Sequence, residues 1–102
     1  MARKPKHMHT VAEALAKVRE GGRREICAVL PLQMERLMYL MGYSEAELAR
    51  QSGWSQSYIG EVRDLKKFPS MEWWDGIATC FEMLIEDFIS ESRLILRGEI
   101  TL

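Results

Sequence analysis

Gln56 is the side chain whose type and place offer the most specific chemistry in this chain. It lies in the segment EAELARQSGWSQSYIGEVR, residues 45–63, directly after Ser55. Serine is a natural helix N-cap, so Gln56 is expected at the exposed start of a helix. There its amide presents donors and an acceptor in one plane, an arrangement that pairs with an adenine edge in a major groove. Ser57 beside it can donate or accept to almost any base and specifies little. Ser55 is open to two readings, a cap alone or a cap that also meets a base. Gly60 would let the helix sit close to base methyl groups. Glu61 is either an acceptor for a cytosine amine or a solvated acid.

Arg50, Tyr58, Arg63, Lys66 and Lys67 flank that surface and are the candidates to meet phosphate. The net charge of −1 hides an asymmetry. Residues 1–29 carry seven basic against three acidic side chains, and the remainder carries seven against twelve. Arg3, Lys4 and Lys6, together with Arg23 and Arg24, form a basic extension that could neutralise further phosphates or simply be solvated.

The elements that must position these groups can be read from the same segment. Ser44-Glu45-Ala46-Glu47 has the capping-box pattern and opens a short helix that Gly53 ends. Ser55 then caps a second helix. Ala49 is small where two helices would approach, and Gly53 tolerates the positive φ of a tight turn. Ile59 and Val62 anchor the second helix, with Leu48 and Trp54 expected to fill the angle between the two. Together these features predict a helix-turn-helix between Glu45 and Arg63.

Other elements surround it. Thr10 caps a helix to about Glu20 with Val11, Leu15 and Val18 on one stripe. A longer helix is expected from near Leu30 to Met41, with Pro31 in its first turn. Ser70 caps a helix with Met71, Trp74, Ile77, Ala78 and Phe81 inward, and a short one runs from about Leu84 to Ser90. Residues 1–9 lack apolar periodicity and read as a disordered arm, so His7 and His9 are weak metal candidates. The last ten residues fit either a prolonged helix or two short strands about Gly98. Trp73 and Trp74 are adjacent and are not expected to share one core. Trp73 is therefore placed at the surface, where with Phe88, Leu94, Ile95 and Leu96 it would form a dimer interface, the alternative being that the tail simply folds over its own core. The chain divides into a basic arm and extra helix (1–29), a helix-turn-helix domain (30–91) and a C-terminal tail (92–102).

These residues resemble the Cro/lambda-repressor type of helix-turn-helix protein, also called the xenobiotic-response-element type. The resemblance spans about Leu32 to Ile89. It rests on Gly42-Tyr43-Ser44, Glu47-Leu48-Ala49, Gly53-Trp54-Ser55, Tyr58-Ile59, Lys66-Lys67-Phe68-Pro69-Ser70, Ile77-Ala78 and Glu86-Asp87-Phe88. It implies an all-α, five-helix DNA-binding domain, here with an extra N-terminal helix. Such domains are usually dimeric and act on double-stranded DNA as repressors or as the reading part of a regulator. The chain departs from the pattern in three places. Glu45 stands where the family commonly has glutamine, Met38-Tyr39-Leu40 where a basic residue is usual, and Gly60 where a polar side chain is usual. An anion at position 45 is repelled by phosphate unless it turns away.

No phosphate-cradling glycine loop, nucleophile pair or metal-ligand spacing occurs, so neither an enzyme nor a cofactor or metal is expected. Cys27 and Cys80 sit in apolar surroundings as reduced thiols, in keeping with a cytoplasmic protein. No apolar run reaches the roughly 18 residues of a membrane span. The alternative reading is an antitoxin or adaptor that binds a protein partner (a toxin or another regulator) on the same scaffold. Small-molecule regulation is not expected, since no second domain is large enough for a typical pocket.

Overall fold

The computed structural model describes residues 7–102, in which every regular element is an α-helix. The order is α1 (Val11–Glu20), α2 (Ile26–Met41), α3 (Glu45–Ser52), α4 (Gln56–Arg63), α5 (Met71–Cys80) and α6 (Ile85–Leu96). None of these is long and apolar enough to cross a membrane. Arg3, Lys4 and Lys6 lie outside the described residues.

Helix α2 is the centre of the molecule, and its two sides serve two cores. Met34, Leu37 and Met38 meet Leu48, Ile59, Val62, Trp74, Ile77 and Phe88 in one cluster. Ala28, Val29 and Leu32 meet Ala14 and Val18 of α1, Leu65 and Ile95 in the other. Helix α1 is thus fixed to the body by its own apolar stripe. Val18 alone, fully buried, contributes about 1.5–3 kcal/mol relative to exposure.

Two element boundaries and one cap differ from the sequence expectation, each for a local reason. Helix α2 starts at Ile26 and carries Pro31 in its second turn. The proline withholds a single hydrogen bond, the one the Cys27 carbonyl would receive. Burial of Ala28, Val29 and Leu30 carries the helix through it. Helix α6 runs on to Leu96 because Ile95, 1% exposed, belongs to the α1–α2 core. The Leu94 carbonyl then accepts from Glu99 and Ile100 N–H groups at 2.9 and 3.2 Å, which closes the helix end and leaves no strand. At α3 only half of the capping box forms. Ser44 accepts from the Glu47 N–H, but the Glu47 carboxylate turns to Arg50 and Gln51. The complete box is at α1, where Thr10 and Glu13 cap each other's backbone N–H at 2.9 and 3.1 Å.

The tryptophan pair also departs from expectation. Trp73 and Trp74 are both buried, with rings edge-to-face at 4.9 Å. Two adjacent positions on a helix can both be inside when the helix is wedged between neighbours. Trp73 packs toward Trp54 and Tyr58 of the helix-turn-helix, and Trp74 toward Phe88 of α6.

Candidate nucleic-acid interface

Helices α3 and α4 form the two arms of the motif. Gly53 takes φ +82° at the end of α3, and the Ser55 hydroxyl accepts from the Tyr58 N–H at 3.1 Å to start α4. Leu48, Ile59 and Val62 are completely buried, so the inner faces of both helices are fixed. Ser55, Gln56 and Ser57 remain exposed at the free end of α4. Trp54 is not in the angle between the helices. It is 47% exposed and stacks on Tyr58 at 5.2 Å.

The arginines of the motif are held by acids of the motif itself and of α2. Arg63, the last residue of α4, donates from Nε to Glu35 Oε1 at 3.0 Å, and its Nη1 lies 3.3 Å from Glu45 Oε1. Its side chain is 18% exposed, so Arg63 is a structural cation rather than a free phosphate contact. Glu45, the acid at the position where phosphate would repel it, is the group that has turned away. Its carboxylate lies over Gly60, where a Cβ would stand 3.5 Å from Oε2. Gly60 is therefore partly covered by that carboxylate, with room left for a Cβ. Arg50 is exposed and paired with Glu47, whose carboxyl is held below the usual range by hydrogen bonds from Gln51 and Arg50.

The exposed basic groups lie just past α4. Lys66 is 65% exposed and pairs with Asp64 at 3.2 Å, and Lys67 is exposed. Arg23, from the loop between α1 and α2, lays its guanidinium 3.9 Å over the ring of Phe68. The α1–α2 loop thus sets a third cation beside the Lys66-Lys67 loop. Tyr58 is half-buried between Trp54 and Trp73 and presents only part of its ring.

The segment before α1 is docked from His7 onward, against the expectation of a disordered arm. His7 Nδ1 lies 2.6 Å from Glu35 Oε2, and His9 Nε2 lies 3.2 Å from Asp64 Oδ1. Asp64 caps α4, and its carboxyl is held below the usual range, first by the Lys66 hydrogen bond, then by Lys17 and His9, with burial opposing. Sequence reasoning missed Glu35, His7, His9 and Asp64 as a set. One signal was available: Glu35 is an acid within the apolar run of α2, between Met34 and Leu37, and such an acid needs a partner.

The residues expected to make a dimer face are mostly interior. Trp73, Phe88 and Ile95 are 6%, 0% and 1% exposed, and Leu94 and Leu96 are half-buried. The tail folds over its own core, with Leu96, Ile100 and Leu102 packed on the α1–α2 cluster. Cys27 and Cys80 are free and half-buried, and burial pushes the Cys80 thiol up. Among the described residues, no three His, Cys, Asp or Glu side chains gather as metal ligands would. No family model, curated protein or solved structure matches this chain.

Proposed function

We propose that this chain is a sequence-specific DNA-binding regulator that reads the major groove through α4. The observation that carries the reading is the free end of that helix. Ile59 and Val62 anchor α4 to the core while Ser55, Gln56 and Ser57 stand in solvent. Gln56 is the base reader, suited to an adenine edge. Lys66, Lys67 and Arg23 supply the phosphate contacts, and residues 1–6 add three cations to the same role. Two copies on a palindromic site would set two such helices about 34 Å apart, one turn of DNA. Occlusion of a promoter is the simplest mode of repression for a reader of this size.

A second reading is favoured by a different observation. Arg50 is neutralised by Glu47 and Arg63 by Glu45 and by Glu35 of α2, and the exposed Trp54 ring lies beside the reading residues. A protein partner, as for an antitoxin or adaptor, would suit that surface.

Selection of bound sequences from a random duplex pool, followed by anisotropy titrations across salt, separates the two. The DNA reading expects one enriched motif and an affinity loss of about 1–3 kcal/mol for Gln56→Ala at that motif only. Absence of salt-sensitive binding to any duplex would leave the protein-binding reading.

A further inference from the structure

A surface cavity of about 390 Å³ lies where the helix-turn-helix meets α5. Trp54, Tyr58 and Trp73 form its aromatic side, and Pro69, Glu72 and Gly76 border it from the loop before α5 and from α5 itself. Trp73, 6% exposed, lies deepest, with its ring centroid 6.0 Å from that of Trp54 and 5.7 Å from that of Tyr58. Tyr58 stacks on one face of the Trp54 indole at 5.2 Å. Trp54 is nevertheless 47% exposed, so its other face is open. Gly76 keeps the α5 side clear, since a Cβ there would meet nothing within 4 Å.

The charge around the cavity says what suits it. Glu72 is exposed and in no ion pair among the described residues, and no arginine or lysine borders the cavity. Asp75, one turn on along the same face of α5, is also exposed and unpaired among the described residues. The surroundings have the same sign. Between Lys67 and Arg93 the chain carries six acidic and no basic side chains, and of these acids Glu91 alone is paired among the described residues, with Arg36. An open aromatic face attracts a cation, and a carboxylate beside it adds to the attraction while repelling phosphate. The stacking of Trp54 on Tyr58 leaves one free face rather than a box of rings. A flat guanidinium fits that arrangement, because it can lie on one ring and still direct its edge N–H groups at a carboxylate.

We propose that this cavity takes an arginine side chain from a basic segment of a protein partner, its guanidinium stacked on Trp54 and bonded to the Glu72 carboxylate. A second basic residue of the segment meets Asp75. Side chains three apart on a helix stand about 5–6 Å from each other, and alternate side chains of an extended strand about 6.6 Å, so one extended segment can serve both acids. This names the chemistry of the partner in the protein-binding reading above and rests on that reading. Trp54 directly precedes Ser55, so the segment would cover the start of α4.

The test titrates the full chain with the peptide acetyl-Arg-Ala-Arg-amide, its citrulline counterpart (the same shape without charge), ethylguanidinium and a short oligo-dT strand, following backbone and indole resonances. Expected are saturable shifts with the arginine peptide at the Trp54 indole N–H and at the Glu72 and Gly76 amides, with weaker binding of the citrulline peptide and of ethylguanidinium. Trp54→Leu and Glu72→Gln should each weaken the arginine peptide about two- to fivefold. Glu72 makes no side-chain hydrogen bond among the described residues, so Glu72→Gln should leave the unfolding midpoint and the citrulline peptide's affinity unchanged. Equal binding of the two peptides at Trp54 overturns the arginine assignment and leaves a peptide surface there, whereas saturation by neither overturns the protein-binding reading with it. Ethylguanidinium binding as tightly as the peptide would make this a small-cation site and overturn the partner. Tighter oligo-dT binding at Trp54, strengthened by Glu72→Gln, would assign the ring to nucleic acid and overturn the proposal, as would shifts at these residues that grow with protein concentration and no probe, which mark a second copy.

Discussion

Arg63 at the end of α4 and Glu35 in the middle of α2 are joined by a 3.0 Å hydrogen bond between Nε and Oε1, with both side chains largely out of water. This contact ties α4 to the central helix α2 by charge as well as by the apolar packing of Ile59 and Val62. Removing the cation leaves a 3%-exposed carboxylate with only His7 and the more distant Met8 N–H. Arg63→Ala should therefore cost about 2–3 kcal/mol, short of the roughly 3–5 kcal/mol for a pair stripped of all partners. Glu35→Ala with Arg63→Ala should cost clearly less than the sum of the two single changes. A double-mutant cycle by urea unfolding measures this, and strict additivity would show that the contact contributes nothing of its own.

Gly60 tests whether the middle of α4 faces a ligand or an acid of its own chain. A Cβ there meets Glu45 Oε2 at 3.5 Å, an ordinary contact that requires no movement. Alanine in a helix interior is favoured over glycine by about 0.5–1 kcal/mol. Gly60→Ala should thus raise stability by that amount and, under the DNA-binding reading, leave affinity for duplex unchanged. A large affinity loss with unchanged unfolding would instead place Gly60 against the bases.

Arg23, in the loop after α1, brings the N-terminal part of the chain to the Lys66-Lys67 loop. Its guanidinium lies on Phe68, directly after Lys66 and Lys67, so the three cations share one edge of the molecule. Under the DNA-binding reading each contributes about 0.9 to the log–log salt slope. Arg23→Ala should lower the slope by about one and weaken all duplexes alike, as should Lys67→Ala. A slope untouched by Arg23→Ala would mean that the α1–α2 loop stays off the DNA.

Asp64 makes stability depend on acid in a defined direction. The hydrogen bond from Lys66, the charge of Lys17 and the contact with His9 favour its carboxylate in the folded chain and hold its pKa below the ordinary value. Its stabilisation is complete above the unfolded aspartate range, near pH 3.9. It is lost as pH falls through the lower, folded value. Asp64→Asn should narrow the stability gap between pH 6 and pH 3, measured by thermal unfolding. An unchanged gap would assign the acid sensitivity to other carboxylates.

Local chemistry made much of the fold legible, because caps and turns are decided within a few residues. Thr10, Ser44 and Ser55 take the capping hydrogen bonds that their side chains suggest, and Gly53 takes the left-handed turn. Long-range partners were not legible. Nothing near Arg63 reveals that Glu35, 28 residues away, will claim it rather than phosphate. The same distance hid the docking of His7, and two-sided burial of α5 hid that of Trp73. Electrostatic assignments from spacing alone thus assumed free cations where the folded chain pairs them.

Two residues other than glycine adopt left-handed backbone, Leu65 at φ +61° and Glu82 at φ +57°, among the described residues. Each follows a helix end closed in the same way. The Lys66 and Leu65 N–H groups bond the Glu61 and Val62 carbonyls, and the Met83 and Glu82 N–H groups bond those of Ala78 and Thr79. Glycine is the usual occupant of such a position, since a side chain there costs roughly 1–2 kcal/mol. The two sites differ in what offsets that cost. Leu65 is 8% exposed within the α1–α2 core, worth about 1.5–3 kcal/mol, whereas Glu82 is exposed and in no ion pair among the described residues. One substitution should then have opposite effects. Glu82→Gly should stabilise by about 0.5–1 kcal/mol, the strain relieved less the entropy that glycine adds to the unfolded chain. Leu65→Gly should destabilise by about 1–2 kcal/mol, because the lost burial exceeds the relief. Urea midpoints of the two variants decide it, and a shift of the same sign in both would show that burial of Leu65 is not what holds its strained backbone in place.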